Sequence, residues 1–309
     1  FVDTMRGTLA ALGMTEELSF SFTSEKTLDK LGVPADSSLR QAIPIMNPLT
    51  DEYPLIRTTL LTSVLENAAR NVARKNMDLR LFDIAPVFFP KALPVTELAN
   101  EKLMVAGLIT GRRSPIAWDT DNAQVDFYDM KGLLERFLTA IGVQKYTVER
   151  GEHFAMHPGK TAFFKKGRDV IATLGEIHPT VAANFGIAQS VYVFEMEVDT
   201  LLRYRKKKNA IASLPKYPAS TRDLAILVDA ELSTAEIERV IAKKGGKFFR
   251  GATLFDVYMG KQVGSGKKSM AFHLHFQSDD KTLTDEEVDA AFADILAAAQ
   301  SQLHAELRA

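Results

Sequence analysis

Ala225, Tyr258, Ser269, His273 and His275 fall on one side of three segments whose residues alternate between apolar and polar. None of these types in this spacing makes a nucleophile. An aromatic ring between small and imidazole side chains suits a flat, unpaired base, where each stacked base contributes roughly 1–3 kcal/mol. Other chemistries fit less well. The stretch 260–269 (GKQVGSGKKS) echoes a phosphate loop, but Lys268 stands where Ser or Thr should follow the lysine, and a strand pattern comes next. His153 and His157 stand four apart, yet Glu152 lies outside the pair and Pro158-Gly159 would end any helix at once. His273 and His275, even with Asp256, read better as half-exposed polar residues flanking a base-binding surface than as metal ligands. No Ser-His-Asp set or carboxylate pair can be read from a single sequence.

The elements that must carry this face run β-α-β-β-α, with room for a last edge strand at 303–307. In 223–229, Leu224, Ile226 and Val228 share one side and Ala225 points the other way. Ser233 and Thr234 suit an N-cap; Ile237, Val240 and Ile241 follow at helical spacing, and Gly245-Gly246 ends the helix. The next strand, 253–259, is expected to place Phe255, Val257 and Met259 on one side and Leu254, Asp256 and Tyr258 on the other. In 268–276 the core side is Met270, Phe272, Leu274 and Phe276, leaving Ser269, Ala271, His273, His275 and Gln277 outward. Thr284 with Glu287 caps a closing helix striped by Val288, Phe292, Ile295 and Leu296. Two helices on one side of an antiparallel sheet give a ferredoxin-like arrangement with one bare face.

Charge is distributed to match. Arg239, Lys243, Lys244, Lys247, Arg250, Lys261, Lys267 and Lys268 are opposed between positions 239 and 268 by Asp256 alone. A basic strip beside an aromatic face is what backbone tracking plus base stacking requires; the competing reading is a solvated charged surface. Net charge is −1, so attraction to nucleic acid must be local.

The segments 214–225 (LPKYPASTRDLA), 254–258 (LFDVY), 266–269 (GKKS) and 281–288 (KTLTDEEV) resemble the anticodon-binding domain of the bacterial phenylalanyl-tRNA synthetase beta-subunit family. Similarity continues upstream through 47–61 and 67–71, like that family's interface helix and its lead-in, and through 79–88, 127–132, 157–162 and 174–179. The resemblance implies an α+β chain: a class II aminoacyl-tRNA synthetase-like module with a mixed or antiparallel sheet over 1–205, a linker at 206–213, and a ferredoxin-like βαββαβ domain over 214–309. It implies Tyr258 as the stacking ring with Ala225 and Ser269 beside it, and Lys267, Lys268 and His273 complete the expected RNA-binding set. By the same resemblance the partners are the alpha subunit and the phenylalanine tRNA, in a cytoplasmic alpha2beta2 heterotetramer that uses ATP and Mg. Editing and metal-linked contacts would precede Phe1. No catalytic residue, cofactor or metal is expected in this chain: Arg80 lies where the family counterpart is not catalytic, and no Gly-rich segment ending in Glu-Arg follows near position 200.

Physical reading of the first part gives a large globular module. Leu60, Leu61, Val64, Leu65, Ala68, Ala69 and Val72 recur at helical spacing, which predicts a helix over about 57–75. Strands are expected at 79–88, 103–110, 161–165, 169–176 and 191–198. At 309 residues, 46% apolar, the chain is long enough for two cores, divided near the charged run 203–209. With no cysteine there is no disulfide frame and no thiolate zinc site, and a reducing compartment is compatible. No stretch of about eighteen apolar residues is present, so no membrane span is expected. The sequence opens on Phe1, without an initiator Met or signal peptide, as expected of a piece cut at a domain boundary. The alternative to an RNA reader is an independent ferredoxin-like binding or regulatory protein whose bare face takes a small ligand or another sheet.

Overall fold

A computed structural model describes residues 1–92, 94–206, 214–260 and 263–308. The chain divides into two compact units, Phe1–Asn209 and Ala210–Ala309. The expected linker 206–213 falls almost wholly outside the described residues, as does Lys261.

In order, the first unit contains α1 (Val2–Ala11), β1 (Thr15–Glu16), β2 (Phe22–Thr23), α2 (Glu25–Leu31), β3 (Leu55–Ile56), α3 (Leu61–Ala73), β4 (Leu79–Phe89) and β5 (Asn100–Thr110). There follow α4 (Phe127–Ala140), β6 (Thr147–Arg150), β7 (Met156–Lys166), β8 (Asp169–Ile177), α5 (Pro179–Asn184), β9 (Val191–Glu197) and α6 (Val198–Tyr204). Seven strands form one sheet in the order β1-β4-β5-β9-β8-β7-β6, antiparallel except where β1 runs parallel to β4. Alternation feeds two cores. Phe82, Val105, Ile109 and Phe194 point to one side, where α1, α4 and α6 pack. Leu81, Ala106, Leu108 and Val193 point to the other, under α2, α3 and α5. The expected strands all form, and among the described residues of this unit the strands that the sequence pattern missed are the short β1, β2, β3 and β6.

Helix α3 begins at Leu61, not 57. The lead-in is held instead by Glu195 of β9, whose carboxylate accepts from Thr59 Oγ1 and from the Leu60 amide, each at 2.8 Å. A half-buried carboxyl there satisfies an amide that the helix start leaves orphaned. Leu61, Val64, Leu65 and Ala68 are buried, so the apolar stripe of α3 is core within this unit.

The second unit contains β10 (Ser220–Asp229), α7 (Thr234–Lys244), β11 (Phe249–Tyr258), β12 (Lys267–Phe276), α8 (Asp285–Leu303) and β13 (Glu306–Leu307). Its sheet runs β11-β12-β10-β13, with β12 antiparallel to both neighbours. Both helices open with complete capping boxes, Ser233 with Glu236 and Thr284 with Glu287. Leu224, Ile226, Val228, Met270, Phe272 and Leu274 pack against Ile237, Ile241, Val288 and Ile295. Arg222 donates to Asp289 and Asp285 of α8, each at 2.8 Å, fastening that helix to β10.

Candidate nucleic-acid interface

With both helices on one side of the second sheet, the residues of opposite parity form its other face: Asp223, Ala225 and Leu227 on β10, and Lys267, Ser269, Ala271, His273 and His275 on β12. The cross-strand partners on β11 are Thr253, Asp256 and Tyr258, opposite His273, Ala271 and Ser269 respectively. Tyr258 keeps 37% of its surface exposed. Its hydroxyl lies over Gly260, where a Cβ would approach to 2.4 Å, so the ring's resting place needs a glycine there.

Arg308 closes over this patch. Its amide donates to the Ala225 carbonyl at 3.0 Å, continuing the β13–β10 pairing. From there the side chain crosses β10 above the small Ala225, donates to Ser269 Oγ at 2.9 Å and sets its guanidinium 5.6 Å from the Tyr258 ring centroid. Ser269 is consequently only 2% exposed, which corrects the expectation that it lines an accessible surface. A guanidinium over an aromatic ring is a cation–π contact. The signal for it was present: continuing the edge-strand alternation by one residue beyond Leu307 brings position 308 onto the bare face.

Two more expectations change. Lys268 pairs with Val228 and shares its helix-covered side, where its ammonium meets the Leu232 carbonyl, while Lys267 stays on the bare face and is ion-paired with Glu306. More consequentially, β11 slips register between Leu254 and Asp256, and the bulged residue is Phe255. An extra residue reverses the alternation, so Leu254 packs on the core while Phe255 turns out and stacks on His273, centroids 4.0 Å apart and planes at 15°. His273 Nδ1 lies 2.6 Å from Asp223 Oδ1, and His275 Nε2 lies 3.2 Å from Thr253 Oγ1. Alongside, α7 ends in Lys243 and Lys244, and Lys247 sits 4.6 Å from the Phe248 ring.

In the first unit the polar groups of note are buried together. Arg57, 1% exposed, donates Nε–H to the Pro86 carbonyl at 3.0 Å and Nη1–H to Ser19 Oγ at 2.6 Å and the Phe20 carbonyl at 3.2 Å, and stands 3.7 Å from Asp83 Oδ2. Ser19 also donates to Asp83, and Asn67 donates to Glu17. Burial pushes the Glu17 carboxyl up to about 7, with the Asn67 bond opposing and the Asp83 charge adding to the rise. Its Oε1 has no hydrogen-bond partner among the described residues, as a neutral carboxyl tolerates better than a carboxylate. Because the folded chain keeps this proton to higher pH than the unfolded one, its contribution to stability is full below about 4.5 and lost as pH rises through about 7. Glu17→Gln should therefore match the parent near pH 4.5 and exceed it at pH 8 by up to about 3 kcal/mol. Amide hydrogen exchange of β4 at the two pH values checks this; parallel pH slopes would refute it.

That polar cluster underlies an apolar surface. Leu18 and Phe20 alternate with Glu17 and Ser19 and are 92% and 82% exposed. Phe20, Phe22, Pro48, Leu49, Glu66 and Arg70 are among the residues lining a cleft of about 370 Å³. The histidines singled out by spacing serve local turns: His153 Nδ1 accepts from the Ala155 amide at 3.3 Å, and His157 Nδ1 from the Gly159 amide at 3.1 Å. Arg80 donates to the Arg113 carbonyl at 2.7 Å.

A helix-flanked mixed sheet and a separate four-stranded sheet bare on one side define a synthetase-like module followed by a ferredoxin-like one. The structure is similar to pyrrolysyl-tRNA synthetase from Desulfitobacterium hafniense, with a TM-score of 0.50 and 13% identity over 65% of this chain and 66% of that one, a likeness of fold alone. Residues 1–198 match the phenylalanyl tRNA synthetase beta chain CLM domain, and residues 215–308 match the ferredoxin-fold anticodon binding domain. The chain belongs to the phenylalanyl-tRNA synthetase beta chain family. It is 38% identical to the phenylalanine--tRNA ligase beta subunit of Syntrophotalea carbinolica over 99% of its length, and 37% identical to that of Clostridium acetobutylicum, also over 99%. It spans 38% and 37% of the length of those two relatives.

Proposed function

We propose that the chain serves ATP-dependent ligation of phenylalanine to its tRNA in two ways: the second unit reads the anticodon on its bare sheet face, and the first unit docks the catalytic alpha subunit. The observation that carries the RNA reading is the Tyr258 ring, exposed on a helix-free sheet face beside a basic edge. An unpaired base stacks on Tyr258, and Arg308 moves from the ring to the base or its phosphate. The Ser269 hydroxyl, which Arg308 now holds, becomes the hydrogen-bonding group for the base edge. Lys243, Lys244, Lys247 and Lys267 supply local attraction for the sugar-phosphate backbone, which a net charge of −1 does not supply globally. ATP and Mg belong to the alpha subunit's site in this reading, and the working assembly is a cytoplasmic alpha2beta2 heterotetramer. The test is binding of the full chain to an RNA hairpin bearing the phenylalanine anticodon loop, against a hairpin of scrambled loop. Equal affinity for both would sink the anticodon assignment.

Alpha-subunit docking is supported by the apolar residues around the cleft of the first unit. Leu18, Phe20, Met46 and Leu49 stand in water, and exposed apolar clusters of this kind mark protein interfaces. Phe20→Asp removes an anchor without touching the Arg57 cluster's side chains. It should abolish co-purification with the alpha subunit at micromolar concentration while leaving RNA hairpin affinity unchanged. Undiminished co-purification would place the interface elsewhere.

A further inference from the structure

We propose that Phe255, backed by His273, is a second nucleobase platform, taking another unpaired base of the strand whose neighbouring base stacks on Tyr258. This rests on the anticodon reading and deepens it. Three observations carry the inference.

The first is the bulge. Uninterrupted alternation would put positions 255 and 258, three residues apart, on opposite sides of the sheet; the register slip lets both rings face outward, and Phe255 remains 50% exposed. Turning a phenylalanine toward water forfeits burial, and bulges recur where a strand must re-aim a side chain at a site. The second is the backing. His273 lies flat against Phe255 at 4.0 Å and 15°, and its Nδ1 lies 2.6 Å from Asp223, so the phenyl ring is backed by a second ring that is itself hydrogen-bonded. A base arriving on Phe255 loses little further freedom to the protein side. The third is the electrostatics of the rim. Asp223 and Asp256 flank the pair and are exposed, whereas the basic residues lie at the end of α7 and, on the bare face, at Lys267 and Arg308 on the Tyr258 side. Carboxylates repel phosphate and accept from amino and imino N–H groups, so the ligand is the edge of a base, not the backbone. His273 and Ser269, the β12 positions beside the two rings, are four residues apart, or roughly 13 Å. Open four-stranded sheets of this kind commonly stack two or three bases.

The experiment titrates the full chain into anticodon-loop hairpins carrying 2-aminopurine at successive loop positions and follows its quenching. Quenching is expected at two positions at least, one lost with Tyr258→Ala and a different one lost with Phe255→Leu. Phe255→Leu, which keeps an apolar cover over His273, should weaken hairpin binding about 5- to 150-fold, and Phe255→Trp should retain both affinity and quenching. Unchanged binding and quenching in Phe255→Leu would overturn the second platform while leaving Tyr258's role intact. Equal losses in the Leu and Trp variants would also overturn it, by making Phe255 structural. No binding by the parent chain would overturn the anticodon reading itself.

Discussion

Arg57→Met should lower the stability of the unit Phe1–Asn209 by about 3–5 kcal/mol, the loss typical of a buried ion pair deprived of one partner. The guanidinium is the hub of contacts from three separate stretches of chain: Ser19 and Phe20, Ser63, and Asp83 with Pro86. Methionine fills much of the volume but donates nothing, leaving Asp83 and two carbonyls buried and short of partners. Burial already pushes the Asp83 carboxyl upward, and without Arg57 it would take up a proton more readily still. The double substitution Arg57→Met with Asp83→Leu should therefore recover much of the loss, since removing both charges deletes the penalty along with the attraction. Hydrogen exchange across β4 and α3 in the parent, both single variants and the double variant completes the cycle. A single-variant loss under 1 kcal/mol, or a double variant no better than the singles, would show the pair to be incidental.

Tyr258→Ala should reduce affinity for the anticodon hairpin by roughly 1–3 kcal/mol, or about 5- to 150-fold, without weakening the second unit's core. The ring makes no contribution to the buried cluster between sheet and helices, so thermal unfolding should scarcely move. Tyr258→Phe separates the ring from its hydroxyl and should keep most of the binding. Salt sharpens the assignment. Stacking is not ionic, so the slope of affinity against salt should be the same in parent and alanine variant, whereas a lost phosphate contact would flatten it. An unaltered affinity in Tyr258→Ala would remove the basis for base stacking on this face.

How much was legible beforehand varies with how local the determining interaction is. The caps of α7 and α8 were readable because Ser233 and Glu236, or Thr284 and Glu287, are three residues apart and satisfy each other within one turn. Alternation placed Ala225, Ser269 and His273 correctly because β10 and β12 pair without interruption. It failed at β11, where a one-residue bulge reverses every later side and nothing in a single sequence marks it; Tyr258 was placed on the bare face, but in company with Leu254 instead of Phe255. The start of α3 was misjudged because its last restraint is Glu195, more than a hundred residues away. Arg308 escaped notice for a related reason: its role depends on reaching across two strands, over a residue small enough to let it pass.

The Glu195 contact also bears on how the first unit is made. On the ribosome, α3 emerges long before β9, and until β9 arrives the amide at Leu60 and the hydroxyl at Thr59 must remain with water. Strand β5 is in the same position, since one of its two neighbours, β9, is also the later-synthesised one. Non-local closure of this kind slows folding, so the nascent chain waits with one flank of β5 open, and the arrival of β9 with its acidic side chain finishes both the sheet's middle and the helix's first turn.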